Sequence, residues 1–439
     1  MSWHSSIRDY VYQSRHPHIA EIVFERVLVG AQERFDEYIR IISALDIDYS
    51  SDRGAFRGLT NAKQLMSLFR DNELIRQIYK IAEDRAPADP KLLQQEAIFE
   101  MNAGGGSLEK ATDLLQKAYK KAHWSKSIAH SLSELALKKA EKATSLVEKS
   151  KFRQESQSIA LRIASDDLIS AYPFHTLIKI GLEELSEVMK EGDQVTIERK
   201  ISEIEKSLNR ALQLFPDSSY LLDAESIFNG IIDKYPQALE ALKKAFARNK
   251  RSPYIASRLA KMYEHVGKKQ ESIQVLKECV EANPSDKDIN FKLAMVLGSV
   301  PEASAEEIKH HLRRSFTKGD NRYHAQFWYA RLLYLEGEIN EANEVFRSMS
   351  EANIDIRLKR DPRGTFTKES KAIRFSGSIS RIETSYGFIL RDGLGDRLFM
   401  YRYHKHRSNW EELKPQRRVT FELAFNYRGP VALDVMLES

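Results

Sequence analysis

The sequence predicts a mostly α fold: a solenoid of paired helices followed by a small five-stranded β-barrel. Two observations carry this. First, Leu208, Leu242 and Leu276 stand 34 residues apart, as do Ala211, Ala245 and Cys279. Pro216 and Pro284 lie two such periods apart, and after a slip of two residues Leu312 and Phe346 resume the spacing of 34. Second, beyond Arg374 the apolar period changes from helical to alternating, with five short runs in about 65 residues.

Bulk properties bound the reading. A chain of 439 residues implies two to four domains. With 42% hydrophobic and 30% charged residues it reads as soluble and globular. No stretch reaches the roughly 18 apolar residues a membrane span needs. The start, MSWHSSIRDY, has no apolar core of a secretory signal. One cysteine leaves no intrachain disulfide and no cysteine-based zinc cluster. The cytoplasm is the expected compartment. The net charge of +5 is uneven. Residues 371–439 hold 12 Lys/Arg against 8 Asp/Glu, and residues 357–370 hold 5 against 2. A basic tail on a near-neutral scaffold is where a polyanion would bind.

Along the chain, residues 1–88 form the first module. Ile7–Leu28 has helical spacing, with Pro17 in a first turn where its missing N–H costs nothing. Arg34–Leu45 and Asn61–Ala82 continue the period, and Asp52-Arg53-Gly54 with Arg57-Gly58 read as a loop between them. The phrase Arg15-His16-Pro17-His18-Ile19-Ala20-Glu21 resembles the segment after the ATPase core of STAND-type P-loop ATPases of bacterial defence systems, where a helical module leads into a repeat array. No GxxxxGK[ST] phosphate loop is present, and Gly104-Gly105-Gly106 reads as a turn between helices. The resemblance implies a sensing half whose ATPase or effector is encoded elsewhere, and the first helix reads as the continuation of something longer.

Residues 89–356 are the solenoid. The best unit is Pro253–Pro284. Leu259-Ala260 and Tyr263 line its first helix, Gly267 ends that helix as a residue that tolerates a positive φ, and Ser272, Leu276 and Cys279 line the second. Ser219–Lys250, Lys287–Thr317 and Tyr323–Ala352 repeat it, and Leu92–Ala122, His130–Ala171 and Phe174–Pro216 are degenerate copies. A single helical hairpin cannot bury its apolar face, so hairpins stack. A fixed 34-residue period of helix pairs is the mark of tetratricopeptide repeats. The expectation is a right-handed superhelix whose concave face takes a protein or peptide. Arg258, Lys261, Asn290 and Arg331 are the polar candidates on the first helices. Leu259, Tyr263, Leu276 and Phe346 read as core, and Cys279 as a packing residue.

Residues 357–370 read as a basic linker and 371–439 as the barrel, with runs at Phe375–Ile382, Tyr386–Leu390, Arg397–Tyr401, Arg418–Ala424 and Val431–Val435. In order the chain reads Gly377-Ser-Ile379, Tyr386-Gly387-Phe388-Ile389, Gly393-Leu-Gly395-Asp396, Leu398-Phe399-Met400-Tyr401, Val419-Thr-Phe421-Glu422 and Arg428-Gly429-Pro430-Val-Ala432. This resembles a cold-shock domain, an OB-fold. The resemblance implies single-stranded RNA or DNA, RNA favoured, stacked on Tyr386, Phe388, Phe399 and Tyr401. Tyr401 takes the family's histidine position. The family's Lys-Trp is Arg381-Ile382 here and its Lys-Gly is Thr384-Ser385, so one ring is gone and one phosphate contact weakened. Arg381, Arg397, Arg402 and Lys405 are the candidates to supply charge, alongside Arg391, Arg407, Arg417 and Arg418.

No catalytic, cofactor or metal set emerges. The pairs His16/His18, His310/His311 and His404/His406 lack ligands at metal spacing and read as surface or capping groups. The chain reads as a non-enzymatic scaffold or sensor binding a protein or peptide on its solenoid and single-stranded nucleic acid on its barrel. The alternative is a protein-only adaptor with a structural barrel.

Overall fold

The structure, a computed structural model, describes residues 2–4, 9–11, 27–28, 30–69, 71–87, 89–166, 170–317, 320–352, 354–368 and 371–438. The phrase Arg15–Glu21 and most of the expected helix Ile7–Leu28 lie outside the described residues. The chain divides into two compact units, one of Met1–Val296 with Lys318–Asn321, the other of Leu297–Thr317 with Arg322–Ser439.

The first unit opens with a two-stranded pair, Ser2–His4 against Asp9–Val11, and helices Ala31–Ala44, Ser50–Leu59, Ala62–Leu68 and Asn72–Arg85. Tyr38, Ile42, Phe56, Leu65, Ile75 and Tyr79 form their core. The expected loop at Asp52–Gly58 is instead helix. Phe56 is buried there and anchors the turn, while Gly54 and Gly58 face open space and merely weaken it. The expected single helix Asn61–Ala82 is two helices, each with its own cap: the Asn61 side chain accepts from the Gln64 amide and the Asp71 side chain from the Glu73 amide.

Then come the helix pairs: Pro90–Asn102 with Leu108–Lys121, Lys126–Lys142 with Leu146–Asp166, Tyr172–Glu191 with Gln194–Leu214, Ser219–Ile231 with Tyr235–Arg248, and Pro253–His265 with Lys269–Ala282. Each pair packs on the next. The unit closes with the helix beginning at Lys287. Sequence explains the starts. The Asp89 carboxylate accepts from the Lys91 and Leu92 amides, with Pro90 in the first turn, and the Ser252 hydroxyl accepts from Ile255 ahead of Pro253. The ends repeat too. Lys268 N–H donates to the Tyr263 carbonyl and Gly267 N–H to Glu264, the reciprocal pair that closes a helix through a left-handed residue. Lys234 and Asp233 make the same pair with Asn229 and Gly230, and Asp233 takes the positive φ of 58° that Gly267 takes at 74°. Leu208, Leu242, Leu276, Ala211, Ala245 and Cys279 are all buried, as the period requires. This is a tetratricopeptide-type solenoid.

The second unit holds helix Ala305–Arg314, the pair Tyr323–Leu335 and Ile339–Glu351, a short helix Ile356–Arg360, and the barrel. Glu338 and Gly337 close the pair's first helix as Lys268 and Gly267 do. The barrel strands are β1 (Arg374–Ile382), β2 (Tyr386–Arg391), β3 (Arg397–Tyr401), β4 (Arg418–Asn426) and β5 (Gly429–Leu437). They close in the order β1-β2-β3-β5-β4, with β3 and β5 parallel and the other pairs antiparallel. That is OB-fold topology. Ile379, Ile389, Leu398, Met400, Val419 and Phe421 fill the barrel. Two glycines permit its closure. A Cβ on Gly377 would lie 2.5 Å from the Leu390 carbonyl oxygen, and one on Gly387 would lie 2.4 Å from the Met400 methyl.

The basic segment before the barrel is not a free tether. Arg363 and Phe425 exchange main-chain hydrogen bonds, Phe366 N–H donates to Leu423, and Thr367–Lys368 pairs with Lys371–Ala372. The end of β4 is buried on both faces because Phe425 leaves the barrel for the helices. Its ring lies parallel to Phe346 (6.2 Å, 11°) and edge-on to Tyr334 (5.3 Å, 79°). Buried Arg391 donates to the Tyr334 hydroxyl at 3.2 Å and holds Asp396 at 2.9 and 3.0 Å. The last helix pair and the barrel therefore share one core. The first barrel strand begins at Arg374, and the compact unit that contains it begins at Leu297.

Candidate nucleic-acid interface

Strand alternation sorts β2 and β3 into two faces. Gly387, Ile389, Leu398 and Met400 point into the barrel and are buried. The other face carries three cross-strand pairs, Tyr386 opposite Tyr401, Phe388 opposite Phe399, and Leu390 opposite Arg397. The rings therefore face outward. Tyr386 and Phe399 stack at 5.3 Å and 18°, and Phe388 meets both edge-on at 5.8 and 5.0 Å. All three are half-buried, partly by each other. Arg381 pairs with Phe388 from the β1 side after a bulge.

Tyr401 is placed differently. It lies on the same face, 4.4 Å from Phe399, but is only 5% exposed. Tyr403 lies 5.0 Å away, His404 5.1 Å, and the Arg360 guanidinium 5.8 Å over its ring. The open surface is thus Tyr386, Phe388 and Phe399, and the row of rings continues at Tyr403, which is 61% exposed. Sequence reasoning missed Tyr403, although its position two residues after Tyr401 continues the alternation.

The charges split into two groups. Arg381 is tied to Glu383 at 2.6 Å, and Arg402 to Glu411 at 2.6 Å and to the Thr384 carbonyl at 3.2 Å. Arg397 and Lys405 are exposed and make no ion pair among the described residues. Of the secondary candidates, Arg418 is held by Asp392 and Glu438, and Arg407 by Asp434. Arg391 is buried in the core shared with Tyr334, so it faces no ligand. His406 is a structural group: one ring nitrogen bonds the Tyr401 carbonyl at 2.8 Å and the other accepts from the Val435 amide at 3.3 Å.

The solenoid's polar candidates are mostly spent inside the protein. Arg258 is paired with buried Asp223. Asn290 is buried and bonds the Pro284 and Asp286 carbonyls. Arg331 donates to the Gly364 carbonyl at 2.8 Å, and burial pulls its pKa down to about 10. Lys261 remains exposed. Cys279 is fully buried, which pushes its thiol up to about 12. Among the described residues no cluster of three or more His, Cys, Asp or Glu is placed to hold a metal, and no helix is long and apolar enough to cross a membrane.

No protein-family model matches the sequence. No curated protein matches it either. Similar solved structures include TTC0263, a thermophilic TPR protein of Thermus thermophilus, at 16% identity over 47% of this chain and 98% of that one, with a TM-score of 0.37. YrrB, a TPR protein with an unusual peptide-binding site, is 16% identical over 44% and 89%, with a TM-score of 0.29. The human IFIT1 dimer with m7Gppp-AAAA is 14% identical over 76% of each chain, with a TM-score of 0.33. At such values the description of the fold rests on the helix pairs and the barrel of this chain itself.

Proposed function

We propose that the outer face of β2 and β3 binds single-stranded nucleic acid, and that the helix pairs form a non-enzymatic scaffold that takes a protein or peptide. The observation that carries the first part is the cluster of Tyr386, Phe388 and Phe399 on the outside of the barrel, with exposed Arg397 on the same face and exposed Lys405 in the loop after β3. Large rings are costly to leave half-wet. Three of them packed side by side on the β2–β3 face of an OB barrel offer stacking surfaces for successive bases. RNA stands ahead of DNA because the strand order and motifs resemble cold-shock domains. A place in a bacterial defence or signalling system, with an ATPase supplied by another chain, rests on the phrase Arg15–Glu21 alone.

Fluorescence anisotropy of the full chain with labelled single-stranded RNA, at low and moderate salt, tests the reading. Binding is expected to weaken with salt, because phosphate contacts release counterions. Each base stack is worth about 1–3 kcal/mol, so Tyr386→Ala with Phe399→Ala is expected to weaken binding at least tenfold while the protein stays folded. An equal response to matched single-stranded DNA would remove the preference for RNA. Absence of binding at low salt would leave the second reading, a protein-only adaptor. That reading is favoured by the ion pairs Arg381–Glu383 and Arg402–Glu411, which neutralise two of the four expected cations.

A further inference from the structure

Beside the ring cluster lies a cavity of about 390 Å³ lined by Ile356, Arg357, Arg360, Asp361, Tyr403 and His404. Its walls come from the short helix ahead of the barrel and from the loop after β3. We propose that it is a nucleotide subsite, taking the next base of the strand that lies on Tyr386, Phe388 and Phe399. This rests on the reading of that face as a strand-binding surface.

Four observations converge. The rings form an unbroken path: Phe399 to Tyr401 is 4.4 Å, Tyr401 to Tyr403 5.0 Å, and Tyr403 to His404 4.6 Å. Tyr403 presents a mostly exposed ring at the cavity, a surface on which a base can stack. Both ring nitrogens of His404 are shielded from solvent and make no hydrogen bond. Buried polar atoms are ordinarily satisfied, so His404 stands out among the residues that line the cavity. Burial lowers the His404 pKa to about 4, so the ring adds no charge to the cavity at neutral pH. The phosphate partners are Arg357 and Arg360, both exposed. Neither makes an ion pair among the described residues, and Arg360 already leans over Tyr401. An exposed stacking ring and two guanidinium groups around one cavity together match a base with its phosphate, and a peptide side chain needs no such set.

The same chemistry could serve a free nucleotide, so the test uses two probes on the full chain. One is labelled single-stranded RNA of about ten nucleotides, within the site size of one OB-fold. The other is adenosine 5′-monophosphate, followed by isothermal titration. Tyr403→Ala and Arg357→Glu alter exposed side chains, and Tyr386→Ala serves as the control for the ring cluster. Tyr403→Ala is expected to weaken RNA binding between about fivefold and a hundredfold, the range for one lost base stack, and Arg357→Glu to weaken it and to flatten the salt dependence. If Tyr386→Ala weakens RNA binding while both cavity variants bind as the wild type does, the subsite is overturned and the ring surface stands. If RNA does not bind the wild type at all, the ring surface fails and the monophosphate decides. Binding that Arg357→Glu abolishes then assigns the cavity to free nucleotides and overturns the strand source; no binding overturns the cavity as a nucleotide site altogether.

Discussion

Phe425→Ala tests whether the barrel and the last helix pair are one cooperative body. The ring is fully buried between Phe346 and Tyr334, with the Arg331 guanidinium 5.6 Å above it. Truncating a buried phenylalanine costs about 3–5 kcal/mol, a large part of the roughly 5–15 kcal/mol that holds a domain folded. For a unit of this size that corresponds to a fall of about 10–15 °C in the midpoint of melting. Tryptophan fluorescence reads both halves. Trp328 lies on the helix Tyr323–Leu335, and Trp410 sits in the barrel, where its indole N–H bonds the Glu383 carbonyl at 3.2 Å. With Trp3 and Trp124 replaced by phenylalanine, single-tryptophan versions are expected to melt together in the wild type and apart in Phe425→Ala. A midpoint that moves by less than about 2 °C, or wild-type transitions that already differ, would refute a shared core.

Other outcomes follow from the same geometry. Gly377→Ala puts a Cβ 2.5 Å from a main-chain oxygen that cannot step aside, and is expected to destabilise the barrel by about 1–3 kcal/mol, measured by urea unfolding. Gly393→Ala, in open space though at positive φ, is expected to cost less. With its thiol at about 12, Cys279 is expected to react with a thiol reagent at pH 8 about a thousandfold more slowly in the folded than the unfolded chain; rapid labelling of the native protein would contradict its burial. The lowered pKa of His404 fixes a sign. Between the ordinary histidine value and about 4 the unfolded chain binds the extra proton, so the second unit is expected to lose stability as pH falls through that window. His404→Phe is expected to flatten that part of the profile.

What the sequence discloses here is what repeats or alternates. The spacing of Leu208, Leu242 and Leu276 marks burial because each occupies the same place in its helix pair, and the closing turns at Asp233, Gly267 and Gly337 make the same pair of main-chain bonds. Alternation through Tyr386–Leu390 and Arg397–Tyr401 tells inner from outer residues, so the outward rings are legible. Contacts between distant segments carry no period. Phe425 lies just past the run Arg418–Ala424 and draws no notice until Phe346 and Tyr334 are seen against it, and Arg331 reads as a polar candidate on a first helix until it meets Gly364. Tyr401 reads as open because the chain that covers it, Arg360 and Tyr403, reads as linker and loop. The run Ser50–Leu59 misleads for the opposite reason: its glycines signal a break, and one buried ring, Phe56, outweighs them.

The main-chain exchange between Arg363 and Phe425, and the bond from Phe366 to Leu423, bear on how the gene can be cut. A clone beginning at the first barrel strand would leave those carbonyls and amides wet and strip the Phe425 ring of its helical cover. Such a strand-only product is expected to precipitate during purification. A clone beginning at Leu297 keeps every one of these partners and is the shortest piece expected to stay in solution.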